Sequence, residues 1–247
     1  MNFMNQKKNN KKVAILMPIY NGVEYFEESF TSVLLQTRKD WQLWIGINGH
    51  PKGSPTYEKI FNIVKPFGFA QNIILLDFGL PGNKAATLNR MVKMLPNNVE
   101  YVALLDVDDI WYPNKLEKQM AILEIPFAPP HVIGTKCKYF GEGCGDRNDM
   151  IPYVPTGDFT TTYNFKSSNP IINSSVIIHT PLAFWNETQT NCLLEDYELW
   201  LELRKRGVGV VRFYNCDEVL VKHRLHPNSA FNGKNLERID ELLSRYT

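Results

Sequence analysis

The chain has 247 residues, 44% of them hydrophobic, with 27 Lys and Arg against 26 Asp and Glu for a net charge of +1. That balance describes a folded globular protein and excludes a disordered or fibrous one. With no basic stripe it also lacks the electrostatic footprint of a nucleic-acid binder. The four cysteines, Cys137, Cys144, Cys192 and Cys216, form no C-x-x-C pair, so buried free thiols are expected rather than a disulfide framework or a zinc site.

The first apolar run, Val13 to Tyr20, is broken by Pro18 and falls far short of the roughly 20 residues that span a bilayer. Lys7, Lys8, Lys11 and Lys12 precede it like the start of a signal peptide, but no small-residue cleavage site follows. The expectation is a cytoplasmic chain with a disordered polar tail over 1–11 and no transmembrane segment. Val13 to Ile19, flanked by a lysine pair and by Asn21-Gly22, predicts a strand covered on both faces. Phe26, Phe30, Val33 and Leu34 recur at helical spacing behind Glu24, Glu27 and Glu28, predicting a helix from about Val23 to Gln36.

The alternation continues with a strand over Leu43 to Asn48, a helix over Tyr57 to Val64, a strand over Ile73 to Asp77, a helix over Ala85 to Met94 and a strand over Tyr101 to Asp106. Such a βα repeat implies a Rossmann-like, mostly parallel α/β sheet with right-handed crossovers, whose ligand crevice lies at the carboxyl ends of the strands. Asn21, Asn48, Asp77 and Asp106 all fall at those ends.

Beyond Asp109 the repeat stops. Leu116 to Leu123 reads as a helix, and the Pro/Gly-rich stretch from Pro126 to Pro170 offers only short strand candidates such as Val132 to Thr135. Ile171 to His179 is strand-like and Leu194 to Arg206 helical; Val208 to Phe213 and Val219 to His223 read as two further strands. In the tail, Ile239, Leu242 and Leu243 share one face of a C-terminal helix that packs on the body or offers a route to a homodimer. The economical organisation is one domain over 12–233, split into a 12–113 half and a smaller, mixed 114–233 half, followed by a helix in 234–247.

The segment Ala103-Leu-Leu-Asp-Val-Asp-Asp-Ile-Trp is an apolar strand running into three carboxylates. Like charges this close repel unless something neutralises them. A hard divalent cation such as Mg²⁺ or Mn²⁺ does so, commonly sharing carboxylates with substrate phosphates. Asp106 and Asp108 point to one side of an extended backbone. A solvated acidic turn is the alternative.

In order along the chain, several segments resemble the nucleotide-sugar glycosyltransferases of family 2, which have the A-type glycosyltransferase fold and an inverting reaction. They are Met17-Pro-Ile-Tyr-Asn-Gly, Ser32-Val-Leu-Leu-Gln-Thr, Gly82-Asn-Lys-Ala-Ala-Thr-Leu-Asn, the Asp106-Val-Asp pair, Leu194-Glu-Asp-Tyr-Glu-Leu-Trp and His223-Arg-Leu-His-Pro-Asn-Ser. The resemblance spans Val13 to Ser229. It implies a nucleotide-sugar donor, a glycan or glycoconjugate acceptor, and Mn²⁺ or Mg²⁺ bridging the aspartates and the diphosphate. It places Asp108 as principal metal ligand, Asp106 at the metal or ribose, His226 reaching the metal or the diphosphate, and Asp109 either at the sugar or behind the residues that touch the ligand.

By the same resemblance Asp196 is the general base and Glu195 orients acceptor or base. Pro18, Tyr20, Asn21, Val107 and Trp111 lie around the donor, Lys84 beside an anion in a helix-opening turn, and Asn89 at the sheet edge. His223 stands where relatives have tyrosine, and Arg224 can pair with phosphate. The main departure is Ile47-Asn48-Gly49, where relatives carry D-D-G and the second aspartate accepts from uracil N3–H. An amide oxygen can still accept that bond, so a UDP- or dTDP-linked donor is expected, while the amide N–H leaves room for guanine. No Q-x-x-R-W motif appears, which points to single-sugar transfer. Two other readings are a sugar-phosphate nucleotidyltransferase, which lacks its triphosphate loop here, and a catalytically silent sugar- or nucleotide-binding module.

Overall fold

The computed structural model describes residues 12–68, 72–79, 82–188, 194–207, 209–227, 229 and 236–246. The expected tail over 1–11, Cys192 and Val208 lie outside the described residues.

The repeat read from the first half is present: β1 (Val13–Ile19), α1 (Phe26–Leu34), β2 (Trp41–Ile47), α2 (Pro55–Val64), β3 (Ile73–Asp77), α3 (Lys84–Lys93) and β4 (Tyr101–Leu104). Parallel pairing runs β3-β2-β1-β4. Because side chains alternate across a strand, β1 feeds two cores. Val13, Ile15, Met17 and Ile19 join one apolar cluster with Phe26 and Phe30 of α1 and Ile60 of α2; Ala14 and Leu16 join the other with Leu88 and Met91 of α3. Covering by helices on both faces explains the unbroken apolar run.

Pro18 is compatible with this central strand for a local reason. The backbone of Ile19 faces β2, so Pro18 faces β4, whose pairing with β1 ends at Leu16 and Leu104. The missing N–H therefore leaves no ladder bond broken.

Helix starts follow their capping chemistry. Ser54 caps α2 by accepting from the Tyr57 N–H, with Pro55 at the first position, and Asn83 caps α3 by accepting from the Ala86 N–H at 2.7 Å. Helix α1 is shorter than expected. Residues before Phe26 form a turn opened by Gly22 at φ +81°, where a Cβ would also meet Val107 at 3.0 Å. At the other end Gln36 turns away to bond the Tyr112 carbonyl and the Leu116 N–H.

The second half departs further. It holds β5 (Ile110–Trp111), α4 (Lys115–Leu123), β6 (Val132–Phe140), β7 (Gly157–Asp158), β8 (Ile177–His179), α5 (Glu195–Lys205), β9 (Phe213–Arg224) and α6 (Leu236–Ser244). The sheet continues β4-β8-β6-β9-β5, with β7 on β9, giving nine strands among the described residues. The pairing here is mixed, while most paired residues of the whole sheet remain in parallel register.

Three expectations are corrected. The two strands expected in 208–223 are one strand, β9, kept continuous by a nine-position pairing with β6, itself twice the expected length; register shifts at Thr135/Lys136/Cys137 absorb the irregular pattern. The strand expected over Ile171 to His179 begins only at Ile177. Asn173–Ser175 coil into a 3₁₀ turn because Ser174 and Ser175 offer their hydroxyls to the Asp106 and Thr135 N–H groups. The short β5 and β7 were unreadable because neither is long enough to show a period.

Helix α6 packs its apolar face, with Leu242 buried, on the body beside α5, where Tyr246 donates to Glu202 and Arg245 pairs with Glu198. That apolar face is covered by the chain's own core. Cys137, Cys144 and Cys216 are buried free thiols. No helix among the described residues is long and apolar enough to cross a membrane.

Candidate active site

Two carboxylate centres lie at the carboxyl edge of the sheet and are joined by one lysine. The first follows β4. The Asp106 N–H is held by the Ser174 hydroxyl at 3.0 Å; its carboxylate accepts from Lys84 Nζ at 2.7 Å and from Asn173 Nδ2 at 2.8 Å. Burial favours the neutral acid, but the ammonium of Lys84 and these hydrogen bonds outweigh it and hold the Asp106 pKa below the usual value.

Asp108 points elsewhere, with Oδ2 3.1 Å from His226 Nε2. Burial, with the charges of Asp109 and Asp106, pushes its pKa up to about 6. Both residues of this pair are partly exposed, at 23% and 12% of their side chains. A partly exposed carboxylate and imidazole in contact make a hard-oxygen and nitrogen donor set of the kind that suits Mn²⁺. Among the described residues no group of three or more His, Cys, Asp or Glu is placed to hold an ion, so these two donors fit a metal only in partnership with a ligand's oxygens.

Asp109 is fully buried and does not reach the opening. His223 Nδ1 lies 3.0 and 3.1 Å from its two oxygens, and the Arg224 N–H donates to it at 2.8 Å. Burial alone would lower the His223 pKa; Asp109 reverses this and lifts it to about 9, so the ring is an imidazolium at neutral pH. Arg224 donates through Nε to the Asp108 carbonyl and pairs with Glu28, its guanidinium stacked against the rings of Tyr25 and Phe140. The 223–226 segment thus clamps the turn that carries Asp108.

The second centre opens α5. Glu195, 9% exposed, accepts from Lys84 Nζ at 3.2 Å, and Asp196 accepts from Asn169 Nδ2 at 2.9 Å. Burial and the neighbouring charge of Glu195 push Asp196 up to about 6, against the opposing pull of Lys84 and Asn169. Lys84 itself, despite its burial, is raised by Asp106 and Glu195 and stays charged.

Several expected donor residues have different surroundings. Trp111, expected at the site, is 2% exposed; its indole N–H donates to the Ser174 carbonyl at 2.6 Å and Lys115 Nζ lies over its ring. It supports the Asp106 turn from beneath. Asn89 is 1% exposed and holds the backbone of Trp185 through both ends of its amide. Asn48 is 3% exposed and pairs with the backbone of Gly82. Tyr20 is exposed with its ring near His50, and Asn21 lies exposed in the same loop; Pro18 is half-buried and Val107 buried beneath Gly22. Asn169, Asn173 and Ser174 were missed as site residues. The only available signal was a cluster of asparagines and serines within a Pro-rich stretch.

The structure superposes on S. aureus TarS 1-349 in complex with UDP-GlcNAc with TM-score 0.68 at 15% identity, covering 95% of this chain and 65% of that one. It superposes on the mannosyltransferase PcManGT from Pyrobaculum calidifontis in complex with GDP-Man and Mn²⁺ with TM-score 0.62 at 14% identity, covering 88% of this chain and 58% of that one. At such identities the likeness is one of fold. The sequence profile of glycosyl transferase family 2 matches residues 14–170, and the chain belongs to that family. Related chains include the putative glycosyltransferase EpsE of Bacillus subtilis (strain 168), 27% identical over 219 residues, 86% of this chain and 73% of that one. The putative teichuronic acid biosynthesis glycosyltransferase TuaG of the same organism is 26% identical over 233 residues, 90% of this chain and 82% of that one.

Proposed function

We propose that this glycosyltransferase is metal-dependent and inverting, and that it moves a single sugar from a nucleoside-diphosphate sugar, UDP- or dTDP-linked, to a hydroxyl of a glycan or glycoconjugate. The 12–113 half holds the donor and the 114–233 half shapes the acceptor side. The observation that carries this reading is Lys84, which bridges Asp106 at the end of β4 and Glu195 at the start of α5. It joins a donor-side carboxylate turn to a base-bearing helix. The complexes of TarS with UDP-GlcNAc and of PcManGT with GDP-Man and Mn²⁺ support a nucleotide-sugar donor and a divalent cation.

Asp108 and His226 are the residues that would hold the cation, which when bound offsets charge developing on the leaving diphosphate. Asp196 takes the proton of the acceptor hydroxyl as that oxygen bonds to the anomeric carbon and the nucleoside diphosphate departs from the opposite face. A pKa of about 6 suits this task, because the carboxylate is charged at neutral pH yet basic enough to accept a proton. Asn169 orients its second oxygen, and Glu195 with Lys84 keeps the base near the donor. Asp109 and His223 hold the turn bearing Asp108 rather than touching sugar.

Calorimetric titration with UDP, dTDP, GDP and CDP, with and without Mn²⁺, tests the reading. Binding of one nucleotide that requires both Mn²⁺ and Asp108, lost in Asp108→Ala, is the expected result. Absence of binding by all four overturns it.

A further inference from the structure

The amide of Asn48, at the end of β2, makes two bonds with one residue. Nδ2 donates to the Gly82 carbonyl at 2.6 Å and Oδ1 accepts from the Gly82 N–H at 2.9 Å. From Gly82 onward the chain ties separate parts of the fold together. Asn83 caps α3 and donates to the Glu187 carbonyl at 2.9 Å. Lys84, the next residue, reaches Asp106 and Glu195. Further along the same helix, Asn89 holds the backbone of Trp185. The first turn of α3 is therefore fixed from β2 on one side and joined to both carboxylate centres on the other.

We propose that Asn48 is a positioning residue: it anchors the first turn of α3 so that Lys84 is held between Asp106 and Glu195, and its side chain does not read the nucleobase. The inference rests on the glycosyltransferase reading above. Asparagine is the residue this clamp requires. A carboxylate in its place has no N–H to give the Gly82 carbonyl and would set an anionic oxygen against it. An aspartate at this position would leave its carboxylate free to accept from a base, whereas the asparagine engages both ends of its amide with backbone.

The test compares wild type, Asn48→Asp, Lys84→Met and the double variant by calorimetry with UDP, dTDP, GDP and CDP in the presence of Mn²⁺, and by turnover. Asn48→Asp is expected to weaken every nucleotide that the wild type binds by a common factor of about tenfold, as loss of a buried hydrogen-bond pair does, leaving any rank among them unchanged. The double variant is expected to lose little beyond Lys84→Met alone, because the two residues act through one contact. A gain of about tenfold or more for UDP and dTDP over GDP in Asn48→Asp overturns the proposal by making position 48 a base reader. Additive losses in the double variant overturn the link to Lys84.

Should Asn48→Asp not fold, the wild-type Asn48 side-chain amide resonance decides the matter. It is expected to keep one chemical shift and slow exchange in the UDP and GDP complexes, and a shift that depends on the base overturns the proposal. Failure of wild type to bind any nucleotide overturns the parent reading and this inference with it, a result distinct from all of these.

Discussion

The two halves of the sheet are built under different rules. In β1 to β4 each strand pairs in parallel with a neighbour that the βα repeat brings round, and helices cover both faces. In β5 to β9 the strands range from two residues to twelve, pair in both directions, and owe their course to side chains that bond distant backbone. The first half is held by a repeated apolar pattern along its strands and helices. The second shares those apolar clusters and adds single long-range polar contacts, so one substitution at such a contact should reach both stability and chemistry.

The sharpest way to break this contrast is chemical. Asp196→Asn should lower turnover by about 10²- to 10⁴-fold while nucleotide affinity stays near wild type, since a general base acts only in the transition state. Normal turnover in that variant would remove Asp196 as base. The wild-type rate should climb with pH through about 6 to a plateau, because the carboxylate is active when deprotonated.

The next effect is on stability. His223→Ala strips the buried Asp109 of its imidazolium partner and should cost about 3–5 kcal/mol in chemical denaturation. A loss under 1 kcal/mol would mean that the clamp on the Asp108 turn does not depend on this pair. Because the folded pKa of His223 is raised to about 9, its contribution to the metal-free protein is complete below the usual histidine value of about 6.5. It declines as pH rises from there through about 9, which denaturation across that range measures.

A smaller effect separates the two roles of the acceptor side. Asn169→Ala removes a hydrogen bond that favours the Asp196 carboxylate, so the midpoint of the pH–rate profile should move up and turnover at pH 6 should fall more than at pH 8. An unchanged midpoint would leave Asn169 with a packing role only. Smallest of all, Tyr246→Phe deletes an exposed bond to Glu202 between α6 and α5 and should change stability by about 0.5 kcal/mol or less, read as a melting shift near the error of the measurement.

Much of the first half could be read in the residues because its signals are local. Apolar run length, helical spacing, the helix-opening turn at Lys84 and the acidic turn after β4 each lie within a dozen positions, and the structure keeps β1 to β4 and α2 to α3 close to where those patterns put them. Ordered motifs carried the family and the class of reaction for the same reason. The partners of the acidic residues were hidden. Asn173 meets Asp106 across 67 positions, His223 meets Asp109 across 114, and Lys84 joins two centres far apart in the chain.

Trp111 and Asn48 show how far such distances matter. An aromatic beside an acidic turn and an amide at a strand end both read as ligand-facing. In the fold Trp111 is enclosed beneath that turn, and Asn48 is closed onto Gly82. Residue order dictates the strands, the helices and the kinds of group available at the sheet edge, since backbone propensity and apolar periodicity act between near neighbours. Which of those groups face a ligand and which hold the frame is settled by packing, because a buried polar atom must find its partner wherever the fold brings one within hydrogen-bond reach.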